Sequence, residues 1–225
     1  MTLEYLLFNI FVVGGPLMLA MRKKTSFLSR WKTVFFPIFI AMIPFILWDA
    51  AVTGRHWWFN ERFTLSIRIA GLPLEEWFFF ITVPFACLFI WVNLRNYISS
   101  YRFKSLSYLQ TAFFLFLPAG IFFILQGLEY TGLMMIAFGM VSLLDRLLKT
   151  NLLQLPETYG LLAIVAGLTF IFNGYLTARP VVLYDESYQL GIRLGTIPLE
   201  DFGYGMALIL LNIILYEKFS EHVNG

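Results

Sequence analysis

Residues 66–76 read SIRIAGLPLEE and residues 191–201 read GIRLGTIPLED, so one pattern occurs twice in this chain. The starts of the two stretches lie 125 residues apart. The same offset, without a gap, aligns the LEY of residues 3–5 with the LEY of residues 128–130. Because a single offset holds over so much of the chain, the sequence indicates an internal duplication.

The composition is that of a protein embedded in lipid. Hydrophobic residues make up 59% of the 225 residues and charged residues 13%, with a mean hydropathy of +0.75. Soluble domains carry about 25% charged residues, so this chain has too few to cover a surface that faces water. The net charge of +2 gives no reason to expect a nucleic-acid partner.

Seven stretches approach the length of about 20 apolar residues that a membrane-spanning helix needs. The predicted spans are residues 3–21, 33–52, 75–94, 109–126, 129–147, 158–176 and 199–216. Together with the duplication they predict an all-α integral membrane protein with two parallel three-helix repeats and a linking helix (3+1+3). The predicted units are residues 1–100, 101–127 and 128–225. Since the copies lie four helices apart, an even number, both have the same orientation.

The distribution of Lys and Arg predicts how the chain lies in the membrane. With the N-terminus outside, eleven of the sixteen basic residues fall in inner connections and five in outer ones. The positive-inside rule then places the C-terminus in the cytoplasm and the protein in the cell (inner) membrane. The N-terminal segment carries Glu4 where a cleavable signal would carry positive charge, so it is interpreted as the first span.

Each duplicated motif places two adjacent acids after a proline at the predicted start of a helix. Proline and acids also suit a helix N-terminus on their own, so the motifs could be helix-start signals only. Their duplication favours function, because carboxylates in or beside lipid are costly. The predicted catalytic residues are therefore Glu75, Glu76, Glu200 and Asp201. Neighbours on a helix point about 100° apart, so at most one acid of each pair can point into the central cavity that we expect between the repeats. We expect Glu75 and Glu200 to point inward because Glu occurs at this position in both copies, with Glu76 and Asp201 as the alternative.

Charged residues near the motifs are assigned supporting roles. Arg68 and Arg193 lie five residues before the two prolines and are predicted as partners of the motif carboxylates. Asp49 lies at the outer end of the second span, whereas Glu61 and Glu186 lie in outer loops, where a solvated position is the alternative. Two acids in unequal surroundings could hold one proton between them and supply both an acid and a base.

The first motif continues into an aromatic run. Trp77, Phe79 and Phe80 are predicted to line the cavity, where a ring face can stabilise a cation. An aromatic belt at the membrane interface is the alternative interpretation. Cys87 is the only cysteine and no nucleotide, flavin or metal motif is present, so we expect no cofactor and no metal.

The PLEEWFFF and PLED segments resemble the heterodimeric-type lycopene cyclases of bacteria, archaea and fungi, in their fused form. The stretch ILWDAAVTG at residues 46–54 is also similar to that family. The second copy departs there, so a role for Asp49 does not transfer to Asn173. The resemblance implies carotenoid biosynthesis: a cofactor-free, acid-catalysed closure of the linear ψ-end of lycopene, or a related linear carotene, to a β-type ring. It also implies membrane lipid and other carotenoid-synthesis enzymes as candidate partners.

Two other functions fit the same layout. SWEET-type carriers of small solutes share the 3+1+3 arrangement, although their Pro-Gln pair is absent here. A non-catalytic scaffold for carotenoid-synthesis enzymes would also lie in the membrane. The residues leave open the ring type, the number of ends closed and the choice between C40 and C50 substrates.

Overall fold

The computed structural model describes residues 3–22, 27, 30–97 and 101–224. Within these residues, seven helices are long and apolar enough to cross a membrane, which confirms the predicted fold class. They are α1 (Glu4–Arg22), α2 (Trp31–Val52), α3 (Leu74–Tyr97), α4 (Lys104–Leu125), α5 (Glu129–Leu147), α6 (Pro156–Ala178) and α7 (Leu199–Asn224). A 3-10 turn at Phe113–Leu115 interrupts α4.

A tight turn joins α4 to α5, whose predicted spans are separated by only two residues. Gly127 has a φ of +87°, a left-handed conformation that glycine adopts without steric cost. Beyond the turn the two helices are in close contact, since a Cβ on Gly120 would meet the carbonyl oxygen of Gly132 at 2.5 Å. Small residues allow this approach between neighbouring membrane helices. The linking helix therefore packs tightly on α5 and is otherwise mostly exposed.

Short strands, which the sequence did not predict, organise the loops at one end of the bundle. Two hairpins lead directly into α3 and α7: β2 (Arg68–Ile69) with β3 (Leu72–Pro73), and β5 (Arg193–Leu194) with β6 (Ile197–Pro198). A third antiparallel pair joins β1 (Trp57–Phe59) to β4 (Val182–Tyr184). The loop before α3 is thus held against the loop before α7.

The β1–β4 pair relates the two halves by an approximate two-fold symmetry. Trp58 pairs with Leu183, its own equivalent at the 125-residue offset. The flanking hydrogen bonds also come in equivalent pairs: Asn60 N–H donates to the Val181 carbonyl (2.9 Å), and Asp185 N–H donates to the His56 carbonyl (2.8 Å). An interface in which each side offers the same residues is the kind that a two-fold axis produces.

Helices α3 and α7 lie at the centre and run in the same direction. Both begin at the end where β1 pairs with β4. At their other ends, Trp91 Nε1–H donates to Glu217 Oε1 at 2.6 Å. Around them, α1 packs on α3 and α5 on α7, whereas α2 and α6 each pack on the central helix of the other half as well as their own. The two halves therefore share one core.

Ion pairs connect the halves at the same end. Glu4 at the start of α1 contacts Arg179 after α6 at 2.7 Å, and Glu129 at the start of α5 contacts Arg55 after α2 at 2.6 Å. Each pair joins the first helix of one half to the loop after the second helix of the other. The pairs are partly exposed, so each contributes little by itself to stability.

His56 makes one of these connections dependent on pH. Its Nε2 lies 3.1 Å from a Glu129 oxygen, and its ring stacks on Tyr188 with centroids 4.1 Å apart. Burial, and next the charge of Arg55, lower the pKa of His56, although Glu129 and Asp185 act the other way. The folded protein therefore holds His56 neutral at pH 7.

We expect the stability of the protein to fall as the pH drops below about 6.5, the pKa of histidine in an unfolded chain. In that range the unfolded chain binds a proton that the folded chain resists, so protons favour unfolding. The measurement is the Tm of the detergent-solubilised protein between pH 7.5 and 5.5, compared with a His56→Gln variant. An unchanged pH dependence in the variant would assign the effect to other groups.

Candidate functional site

A cavity of about 740 Å³ lies between the two halves. Its lining extends from Trp57 and Tyr184 at the strand-bearing end to Cys87 and Ile209 deeper among the helices. Most of the lining is apolar, and within the described residues three carboxyl groups face it: Asp49, Glu76 and Asp201. Carboxyl groups in an apolar membrane cavity are expensive to maintain and are therefore candidates for function.

The structure places the second acid of each motif, not the first, in the cavity. Glu76 and Asp201 line it, and Glu75 and Glu200 do not. The expectation that Glu75 and Glu200 point inward is wrong, because each is turned toward the loop before its helix. Glu75 Oε1 accepts the backbone N–H of Leu65 at 2.6 Å, and Glu200 Oε1 accepts the equivalent N–H ten residues before it at 2.8 Å. Glu75 and Glu200 therefore bind the loops that precede α3 and α7.

A tyrosine binds each cavity acid in the same way. Tyr5 donates its hydroxyl to Glu76 Oε2 at 2.5 Å, and Tyr130 donates to Asp201 Oδ1 at 2.5 Å. These are the tyrosines of the two LEY segments, and both are buried. The LEY repeat indicates how the two halves align but does not by itself predict this role. The offset shared with the acids was the available signal.

The surroundings of the two acids differ beyond the tyrosines. Asp201 also accepts hydrogen bonds from the Tyr184 hydroxyl at 2.8 Å and from the Asn173 amide. At the offset positions the first half has Phe59, which carries no donor, and Trp48, whose Nε1–H forms no hydrogen bond with Glu76. Asp201 is therefore surrounded by three donors. Because an ionised carboxylate only accepts hydrogen bonds, this environment suits the charged form.

Glu76 has a second acid as its neighbour instead. Its carboxyl group lies beside that of Asp49, which also accepts Trp57 Nε1–H at 2.6 Å. The residue equivalent to Asp49 in the second half is Gly174, so this pair exists once. Two carboxyl groups can hydrogen-bond to each other only when one of them carries a proton, so this pair is suited to holding one. The cavity thus contains an adjacent pair of acids and a separate carboxyl group rich in donors.

The lycopene cyclase family profile matches residues 3–94 and 127–219. The chain belongs to the lycopene cyclase family. The matched ranges begin close to the starts of α1 and α5; the first includes the cavity acids Asp49 and Glu76, and the second includes Asp201.

A curated relative of this lycopene cyclase family member is described as the C(50) beta-cyclic carotenoids biosynthesis protein LbtBC of Dietzia sp. (strain CQ4). The two are 44% identical over 48 residues, which is 21% of this chain. The chain spans only 11% of the length of that relative. No solved structure matches the chain.

The supporting residues predicted for this lycopene cyclase family member are only partly at the cavity. Arg68 donates to the Thr64 hydroxyl at 3.0 Å, and Arg193 contacts Glu186 at 3.3 Å. Among the described side chains neither arginine forms an ion pair with a motif acid, so that expectation is wrong. Glu61 and Glu186 are exposed and lie outside the cavity lining, as the alternative of a solvated position predicts.

Aromatic residues contribute to the cavity from both halves. Phe79 and Phe80 line it, whereas Trp77 lies outside the lining and donates its Nε1–H to the carbonyl of Ile69 in the hairpin. Tyr204, at the offset from Phe79, lines it from α7. These rings present π faces to whatever occupies the cavity, where they can stabilise a positive charge.

Tyr184 remains a donor at physiological pH. It ends β4, outside the membrane-spanning helices. Burial, and next the charge of Asp201, hold the pKa of Tyr184 well above the ordinary pKa of a tyrosine. Its hydroxyl therefore keeps its proton and continues to bind Asp201. Sequence reasoning missed Tyr184 because its counterpart, Phe59, carries no hydroxyl.

The hydrogen bond from Leu65 to Glu75 predicts different effects for two substitutions at Glu75. Glu75→Ala removes the acceptor of the Leu65 N–H and is expected to destabilise the protein by about 1–2 kcal/mol. Glu75→Gln keeps a carbonyl oxygen at that position and is expected to cost less. The measurement is the Tm of both variants in the same detergent. Equal losses would show that the charge of Glu75, and not this bond, matters.

Proposed function

We propose that this protein is a carotenoid cyclase that closes the linear ψ-end of lycopene, or of a related linear carotene, into a β-type ring without redox change. One observation carries the proposal: a single apolar cavity contains the adjacent acids Asp49 and Glu76 and, apart from them, the carboxyl group of Asp201 with its three hydrogen-bond donors. Such a cavity can give a proton to a hydrocarbon and take one back.

The Asp49–Glu76 pair is the proposed proton donor. Its proton adds to the terminal double bond of the bound ψ-end and leaves a carbocation on the neighbouring carbon. Glu76 and Asp49 are only 7% and 3% exposed, so little water competes for the proton. The Tyr5 hydroxyl, already bonded to Glu76, and the Trp57 N–H, bonded to Asp49, stabilise the charge that remains on the pair.

Ring closure follows when the next double bond attacks the cation. This step forms one carbon–carbon bond and moves the positive charge into the new six-membered ring. The rings of Phe79, Phe80 and Tyr204 line the cavity, and their π faces stabilise the cation as it moves. An apolar wall also keeps out water, which would otherwise trap the cation as an alcohol.

Asp201 is the proposed base. It takes a proton from the carbon next to the cation, and the new ring double bond forms. Its hydrogen bonds from Tyr130, Tyr184 and Asn173 hold the carboxylate in place. One proton enters the substrate and one leaves, so the product is an isomer of the substrate and the reaction consumes no cofactor.

The positive-inside rule supports an orientation in the cell membrane with the N-terminus outside and the C-terminus in the cytoplasm. In that orientation the acid-bearing end of the cavity lies in the outer half of the bilayer. The apolar lining weighs against a carrier of small polar solutes, because such solutes need hydrogen-bonding partners. A scaffold that performs no chemistry has no need of three buried carboxyl groups.

The decisive experiment expresses the chain in a host that accumulates lycopene and analyses the pigments. We expect lycopene to be replaced by cyclic carotenes of the same mass. A second host that makes a linear C50 carotenoid is included, because the curated relative is named for C50 β-cyclic carotenoids. If the protein is present in the membrane and both linear carotenoids persist, the proposed activity is wrong.

A further inference from the structure

The cavity also opens sideways, between α1 and α6. Phe11 and Met18 of α1 line the cavity, yet 72% and 68% of their surfaces are exposed. On the facing helix, Thr169 and Phe172 line it, and both are partly exposed. Residues that belong both to the cavity and to the outer surface mark an opening, and the surface of these two helices faces lipid.

The α1 side of this opening is an empty groove. Gly14 and Gly15 line the cavity, and a Cβ added to either would meet no atom within 4 Å. Glycine inside a helix costs about 0.5–1 kcal/mol relative to alanine. Close packing against another helix does not explain these two glycines, since nothing is packed there. The space is instead continuous with the cavity that contains the carboxyl groups.

Within the described residues, the second half shows no opening that matches the one at α1. The residue equivalent to Gly14 is Gly139, where a Cβ would meet the side chain of Leu117 in the linking helix at 2.9 Å. Among the described residues, Tyr130 is the one residue of α5 in the cavity lining, and no residue of α4 contributes. The linking helix covers the face of α5 that corresponds to the groove of α1. The duplication has therefore produced one lateral opening.

We propose that this opening, bounded by Phe11, Gly14, Met18, Thr169 and Phe172, takes a linear carotenoid end-on from the bilayer. The proposal rests on the proposed function and adds the path and pose of the substrate. One ψ-end reaches Glu76 and Asp201, and the rest of the polyene lies over Gly14 and Gly15 and extends into lipid. A hydrocarbon suits the opening because it needs no polar partner while it crosses.

The single opening has a kinetic consequence. One carotenoid end occupies the site at a time, so the second ring forms only after the molecule leaves and binds with its other end. A carotene with one ring is therefore a released intermediate. It accumulates early in the reaction and declines as carotene with two rings forms.

The test compares Gly14→Leu with Gly167→Leu in liposomes that contain lycopene. Both sites are helical glycines with open space around the Cβ, but Gly167 is exposed on α6 and lies outside the cavity lining. We expect Gly14→Leu to slow ring closure about tenfold or more, because small displacements of a bound substrate are costly. Gly167→Leu is expected to keep the wild-type rate.

The outcomes separate this proposal from the proposed function. If wild-type protein leaves every linear carotenoid unchanged, the cyclase activity itself is wrong. If wild-type protein and Gly14→Leu close rings at equal rates, the activity stands and the opening is not the substrate path. The Tm values of Gly14→Leu and of the smaller change Gly14→Ala check that both variants fold. If both keep the wild-type Tm and ring closure is slowed more by Gly14→Leu than by Gly14→Ala, the proposal is supported. Appearance of the two-ring product without a one-ring precursor would overturn binding of one end at a time.

Discussion

Glu76→Gln is expected to abolish ring closure while the protein still inserts and folds. The amide has nearly the shape of the carboxyl group and still accepts the Tyr5 hydroxyl, but it cannot transfer a proton to a double bond. Loss of a general acid lowers rates by about 10²- to 10⁴-fold, and protonation of an unactivated double bond has no easier route. The measurement is the amount of cyclic carotene formed per unit of membrane-inserted protein.

The neighbouring residue supplies the matched control. Glu75→Gln makes the same chemical change one position away, on the side that binds Leu65 and outside the cavity lining. It is expected to retain most of the activity. Equal loss in both variants would mean that the site tolerates no change at the motif, and full activity of Glu76→Gln would remove Glu76 from the mechanism.

The fold was predictable because lipid imposes a length on each helix. A stretch of about 20 apolar residues has few alternatives in a membrane, so all seven spans were found, six of them within two residues of the observed starts. The prediction missed the start of α4 at Lys104, five residues before the predicted one, because this turn is polar. It also ended the seventh span at residue 216, whereas α7 continues to Asn224. A membrane-spanning helix can continue beyond the lipid with polar residues, and hydropathy does not show where such a helix begins or ends.

The orientation of the motif acids was not predictable from spacing alone. Helical geometry predicts that the side chains of Glu75 and Glu76 point in different directions. Which of the two faces the cavity depends on where the chain enters the helix. The hairpin of β2 and β3 settles that direction, and a two-residue strand is too short to detect by alternation. The presence of Glu at the first position of both motifs reflects its bond to the loop and not its chemistry.

The surroundings of Glu76 and Asp201 differ because some of their neighbours occupy positions where the two copies carry different residues. At the 125-residue offset, Asp49 aligns with Gly174 and Tyr184 aligns with Phe59. A search for repeated residues therefore finds neither Asp49 nor Tyr184. Each contact lies within one half: Asp49 on α2 contacts Glu76 on α3, and Tyr184 on β4 contacts Asp201 on α7. Repetition therefore located the cavity, and the departures from repetition give the two acids different partners.

Asp201→Asn is expected to change what is formed as well as how fast. Tyr130 and Tyr184 can still donate to the amide oxygen, so the shape of the site is kept, but no carboxylate remains on that side to accept a proton. The cation would still form at the Asp49–Glu76 pair. It would then lose its proton slowly, to weaker acceptors at other carbons. We expect the rate to fall about 100-fold and the residual product to include ε- or γ-rings beside the β-ring.

Chromatographic separation of the ring isomers checks this prediction, and Asp185→Asn is the control because that carboxylate lies in an exposed turn outside the cavity lining. The control should give wild-type rate and product. The two cavity variants then fail differently: Glu76→Gln leaves the linear substrate, and Asp201→Asn gives slow formation of altered rings. An Asp201→Asn variant with unchanged ring type and rate would show that another group takes the proton. The opposite pattern, with altered rings from Glu76→Gln and none from Asp201→Asn, would exchange the roles of the two acids.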